Sequence, residues 1–97
     1  MIAGQKKINI TYMAEVFDKE DNACIEGETC MDVQLAEEYA DLLLQDKEDV
    51  RKLGRDAILK REYALESLKI IIDHNERLKN RTFVSGSIKG IEEIKDW

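Results

Sequence analysis

The stretch Lys6-Lys7-Ile8-Asn9-Ile10-Thr11-Tyr12-Met13-Ala14-Glu15-Val16-Phe17 alternates without a break. Ile8, Ile10, Tyr12, Ala14 and Val16 fall on one side; Asn9, Thr11, Met13, Glu15 and Phe17 fall on the other. A period of two in β-branched and aromatic residues marks a strand with one face buried. Asp18-Lys19-Glu20-Asp21-Asn22 is turn chemistry, and residues 23–31 resume the alternation, with Ala23, Ile25, Gly27, Thr29 and Met31 against Cys24, Glu26, Glu28 and Cys30. A four-residue loop from Lys19 to Asn22 sets Val16 opposite Ile25 and Ile10 opposite Met31, and in that register the two apolar faces coincide. The reading is a β-hairpin over about residues 6–31. Two strands alone are marginal. The hairpin must therefore lie on helices, gain a third strand, for which Thr82-Phe83-Val84 is available, or pair with another chain.

Helical periodicity follows. Asp32 reads as an N-cap for a helix over 33–45, with Leu35, Ala36, Tyr39, Leu42 and Leu43 on one side and Gln34, Glu37, Glu38, Asp41 and Gln45 on the other. From about 47 to 80 an apolar stripe continues through Val50, Leu53, Ala57, Ile58, Ala64, Leu65, Leu68, Ile71, Ile72 and Leu78, and Gly54 is its one break. Unbroken, that helix would reach about 50 Å, longer than the diameter of a compact chain of this size, so it bends at Gly54 or projects. Leu59, Tyr63 and Ile70 fall opposite the stripe. A helix apolar on two sides is central in its fold or touches a second chain. In residues 81–97, Ser85-Gly86-Ser87 reads as a loop, and Ile88, Ile91, Ile94 and Trp97 recur at intervals of three, which suits a short terminal helix; a strand over 82–92 competes. The expected class is α+β: an N-terminal hairpin or small antiparallel sheet packed on two or three helices, one of them long, in one domain spanning 1–97.

The chain has 97 residues, no proline and a net charge of −6, with 43% apolar and 37% charged residues. Leu42-Leu43-Leu44 and Ile70-Ile71-Ile72 are the longest aliphatic runs, far short of the ~20 apolar residues of a membrane span. Residues 1–7 carry no apolar signal segment. A cytoplasmic protein is expected. Cys24 and Cys30 make no disulfide framework. On a straight strand they stand about 20 Å apart, whereas a tight turn at Glu26-Gly27-Glu28 would let them face each other. His74 is the only histidine and completes no metal set. Asp18, Glu20 and Asp21 lack the glycine and glutamate of a calcium loop. No catalytic constellation is legible, no cofactor is implied, and a non-enzymatic role is expected.

Charge is uneven. Residues 15–49 hold thirteen acids and two bases, a net of −11, while residues 51–97 hold eleven bases and eight acids, a net of +3. These observations point to a protein-interaction module that self-associates through Leu59, Tyr63 and Ile70. Its acidic half, with Glu26, Glu28, Glu37, Glu38 and Asp41, would meet a basic partner. In the sharper form it inhibits a nucleic-acid-handling protein by occupying its basic surface, as small acidic proteins of phages and mobile elements do by analogy. One alternative is a dimeric nucleic-acid-binding regulator that contacts phosphates through Arg51, Lys52, Arg55, Lys60 and Arg61. The net negative charge and the lack of interleaved aromatics weigh against it. Another is a small-ligand binder or enzyme with its site around Arg61 and His74.

Overall fold

A computed structural model describes residues 3–96. In chain order the elements are β1 (Gln5–Asp18), β2 (Ala23–Ala36), α1 (Glu37–Leu44), α2 (Lys47–Lys52), α3 (Arg55–Leu78) and β3 (Arg81–Ile94). The strands form one antiparallel sheet in the order β2-β1-β3, so the architecture is α+β with a long helix. β1 pairs with β2 without a register shift, and Val16 faces Ile25 and Ile10 faces Met31. The turn is closed by the Asp18 carboxylate, whose Oδ1 accepts the N–H of Glu20 at 2.9 Å and of Asp21 at 3.3 Å.

The alternation of β1 sets the core. Ile8, Ile10, Tyr12, Ala14 and Val16 are buried on the helix side with Val33, Ala40, Leu43, Ala64, Leu68 and Ile72. On α3 the residues Ala64, Leu68, Ile72 and Glu76 recur every fourth position and are buried, which is the stripe that a 3.6-residue period lays against a sheet. Gly54, at φ 108°, separates α2 from α3. A side chain is strained at that angle, so the break falls where the only glycine of the helical region stands. The 24 residues of α3 then span about 36 Å, which fits a molecule 45 × 29 × 16 Å across.

Two expectations are corrected. Asp32 is not a helix cap: β2 runs on to Ala36, Val33 is buried in the core, and α1 begins at Glu37 with no side-chain cap. Met31, Val33 and Leu35 simply continue the period of two. Residues 81–94 form no loop and terminal helix; the competing strand over 82–92 is the one found, as a third strand over Arg81–Ile94 that is much longer than Thr82–Val84. The interval of three from Ile88 to Ile91 has a different cause. The register against β1 shifts between Thr11 and Tyr12 and between Glu15 and Val16, leaving Lys89 and Val84 without partners. Each extra residue resets the alternation, so Phe83, Gly86, Ile88 and Ile91 all lie opposite the inward residues Val16, Ala14, Tyr12 and Ile10. The reading of Trp97 lies outside the described residues.

The radius of gyration is 14.8 Å, above the ~12–13 Å of a compact chain of this length. The shape is flat: one sheet and one helical layer, with the second face of the sheet left open.

Candidate partner interface on the open face of the sheet

The open face carries the side chains that β1 does not turn inward. Lys7, Asn9, Thr11, Met13, Glu15 and Phe17 stand in the centre, flanked by Gln34, Asp32, Cys30, Glu28, Glu26 and Cys24 on β2 and by Ile94, Glu92, Gly90, Ser87, Ser85 and Thr82 on β3. Five carboxylates (Glu15, Glu26, Glu28, Asp32 and Glu92) and Lys7 therefore occupy paired positions of one face, and Lys89 stands unpaired at a register shift of β3. None of the five takes part in an ion pair among the described residues. Glu15 and Glu26 are directly opposite each other, where like charges repel. Asp32 accepts from Asn9 Nδ2 at 2.9 Å, and the Ser85 hydroxyl donates to Glu15 at 3.4 Å. Neither contact neutralises charge.

The other acids expected at a partner surface are placed differently. Glu37 and Asp41 on α1 lie 4.0 and 2.5 Å from Lys6 Nζ, which also reaches Glu93 at 3.2 Å. The hydrogen bond to Asp41, then that to Glu93, raises the Lys6 pKa and holds it charged. Glu38 lies 3.7 Å from Lys60. Glu28 is nine residues from Glu37, about 30 Å along a strand, and its side chain is on the opposite face from the helices. The five acids read from the sequence thus do not form one surface. Glu26 and Glu28 belong to the uncompensated row, and Glu15, Asp32 and Glu92 complete it. Their shared face was readable from parity for Glu15; Asp32 and Glu92 needed the true strand limits.

The basic stretch is also dispersed. Arg51 pairs with Glu48 at 3.0 Å, Lys52 with Asp49 at 3.9 Å and Lys60 with Glu38; Arg55 is exposed. Arg61 is half-buried in an open groove of about 930 Å³ between α3 and β3, and its Nε has no hydrogen-bond partner. His74 is exposed and stands about 20 Å along the helix from Arg61, so no site joins the two.

Comparison with protein-family models, with curated proteins and with solved structures yields no match.

Leu59, Tyr63 and Ile70 are 52%, 66% and 70% exposed on α3, and Leu59 and Tyr63 line the same open groove beside β3 as Arg61. Among the described residues, the terminal strand does not cover them; Tyr63 leans on Tyr39, with ring centroids 6.1 Å apart. Cys24 and Cys30 are free and exposed on the straight β2. A polar cluster that the sequence reading missed ties the far ends of the elements together. Glu76, 3% exposed, accepts from the Tyr12 hydroxyl at 3.0 Å, and its other oxygen lies 3.8 Å from the Arg81 guanidinium, which also meets Asp18 at 3.4 Å. Its signal was present: Glu76 sits four residues after Ile72, inside the apolar stripe.

Proposed function

We propose that the chain is a non-enzymatic protein-interaction module whose open sheet face occupies the basic surface of a nucleic-acid-handling protein and excludes nucleic acid from it. The observation that carries this reading is the row Glu15, Glu26, Glu28, Asp32 and Glu92, which has no ion pair among the described residues, while the acids of α1 are matched by Lys6 and Lys60. Leaving like charges side by side costs stability, and a basic partner would recover it while speeding encounter. Self-association through Leu59, Tyr63 and Ile70 is the second part of the proposal, supported by their exposure. The phosphate-binding alternative is less supported, because Arg51, Lys52 and Lys60 already face acids of this chain.

The test is displacement of a labelled DNA duplex from a histone, followed by fluorescence anisotropy at graded salt. Wild type should displace the duplex. Glu26→Gln/Glu28→Gln/Asp32→Asn should weaken displacement about tenfold or more, and Glu37→Gln/Glu38→Gln/Asp41→Asn by less than about twofold. Both variants remove the same charge. Equal losses would mean that net charge alone acts and that the sheet face is not the interface.

A further inference from the structure

We infer that the free edge of β2 takes up an extended segment of the partner as a fourth strand, and that this segment alternates Lys or Arg with aliphatic residues. The inference rests on the acidic-face reading and adds the backbone to it. Among the described residues β2 is hydrogen-bonded only to β1, and over fourteen residues its ladder has no register shift. The phase of that ladder is fixed at one end, where the Glu37 N–H donates to the Gly4 carbonyl at 2.9 Å. In an antiparallel pair, residues alternate between bonding across the ladder and turning both backbone groups away. The odd residues of β2 therefore bond to β1. The even ones, Cys24, Glu26, Glu28, Cys30, Asp32 and Gln34, present N–H and C=O to the outer edge.

Those same even residues carry the acids of the open face. A strand docking there sets every second side chain beside Glu26, Glu28 and Asp32, which calls for Lys or Arg. Its intervening side chains lie beside Ala23, Ile25, Gly27, Thr29 and Met31 on the helix side. There the helices do not reach the first half of β2, and residues 23–28 are exposed. Those positions call for aliphatic residues. Glu15, two strand spacings from the new strand at about 10 Å, adds its field.

Charge also decides against the other occupants. β2 bears Glu26, Glu28 and Asp32 and no base, so a second copy pairing at this edge would set acids against acids, the arrangement that guards edges from self-pairing. The opposite edge of the sheet is β3, where the extra residues Val84 and Lys89 interrupt the ladder and blunt it as a template.

The test uses the whole chain and a nine-residue peptide of alternating Lys and Val, with capped ends. A matched peptide N-methylated at alternate residues keeps the charge and loses the edge-facing donors. Binding is followed by calorimetry and by amide hydrogen exchange. The alternating peptide should bind about tenfold more tightly than the methylated one. It should also slow exchange at Glu26, Glu28, Cys30 and Asp32 at least tenfold while leaving Ile25, Gly27 and Thr29 unchanged. Cys30→Pro removes one outward N–H and no charge, at the kind of edge position where proline is tolerated, and should weaken the alternating peptide only. Equal binding of both peptides with no change in exchange overturns strand addition and leaves the acidic-face reading standing. Binding of neither peptide at low salt overturns both.

Discussion

Tyr12 and Glu76 are a pair in which neither side chain is replaceable by its nearest apolar analogue. The Tyr12 hydroxyl is buried and reaches a buried carboxylate at 3.0 Å. Tyr12→Phe leaves that carboxylate without its donor and should cost about 1–3 kcal/mol in urea denaturation. The same burial, with the adjacent Glu76, raises the Tyr12 pKa above its ordinary 10.0. A raised folded value means that the stabilising contribution is complete below pH 10 and is lost as the pH climbs through the folded pKa. Wild type should therefore lose stability above pH 10 more steeply than Tyr12→Phe. At the acid end the relevant residue is Asp18. The amide of Asp21, then that of Glu20 and the Arg81 side chain, lower its pKa against the effect of burial. Its contribution is complete above its ordinary 3.8 and fades as the pH falls below that. Asp18→Asn should flatten the acid limb of the stability profile; an unchanged limb would show that the turn does not depend on the charge.

At the scale of the element, β3 shows why part of the fold was hidden. Period two is legible only in an uninterrupted strand, as β1 demonstrates, whose inward residues were all readable. Val84 and Lys89 each insert one residue; the insertion at Lys89 turns Ile88 and Ile91 inward three residues apart, and with Ile94, which lies opposite the outward Lys7, they imitate a helix face. The boundary at Asp32 was hidden for a related reason, because Leu35 satisfies both the period of the strand and that of the helix after it. The partner row inherits these errors. Glu26 and Glu28 were legible from parity, whereas Asp32 lay in a stretch assigned to the helix, Glu92 in one left open between strand and helix, and no sequence signal tells that Glu37, Glu38 and Asp41 find internal lysines. The irregularity of β3 has its own requirement: a Cβ at Gly86 would stand 2.5 Å from the Met13 carbonyl oxygen. Gly86→Ala should destabilise the chain by about 1–3 kcal/mol in urea denaturation, whereas alanine at Gly27, which has open space around it, should be close to neutral.

The whole molecule is 16 Å thick along its shortest axis. That is room for a sheet and one layer of helices, and for nothing on either outer surface. The open sheet face carries five carboxylates, with Met13, Phe17 and Ile94 among them; α3 exposes Leu59, Tyr63 and Ile70. The two bare faces therefore suit different neighbours, and self-association through one would leave the other free. Light scattering should give a mass that is a multiple of 11.2 kDa, and Tyr63→Glu/Ile70→Glu should reduce it to one chain without altering the far-ultraviolet circular dichroism. A wild-type mass of one chain at micromolar concentration would end that part of the proposal.

The strand order also bears on how the molecule is made. β1 finds β2 across a gap of four residues, but meets β3 only after sixty-two residues have intervened between Asp18 and Arg81. Local closure is fast, and pairing at such separation is slow. The hairpin should therefore exist transiently with one flank of β1 unsatisfied, its oily side held only by what helix has already docked. In that interval the unpaired edge and exposed apolar surface of the hairpin make the nascent chain prone to join a neighbour.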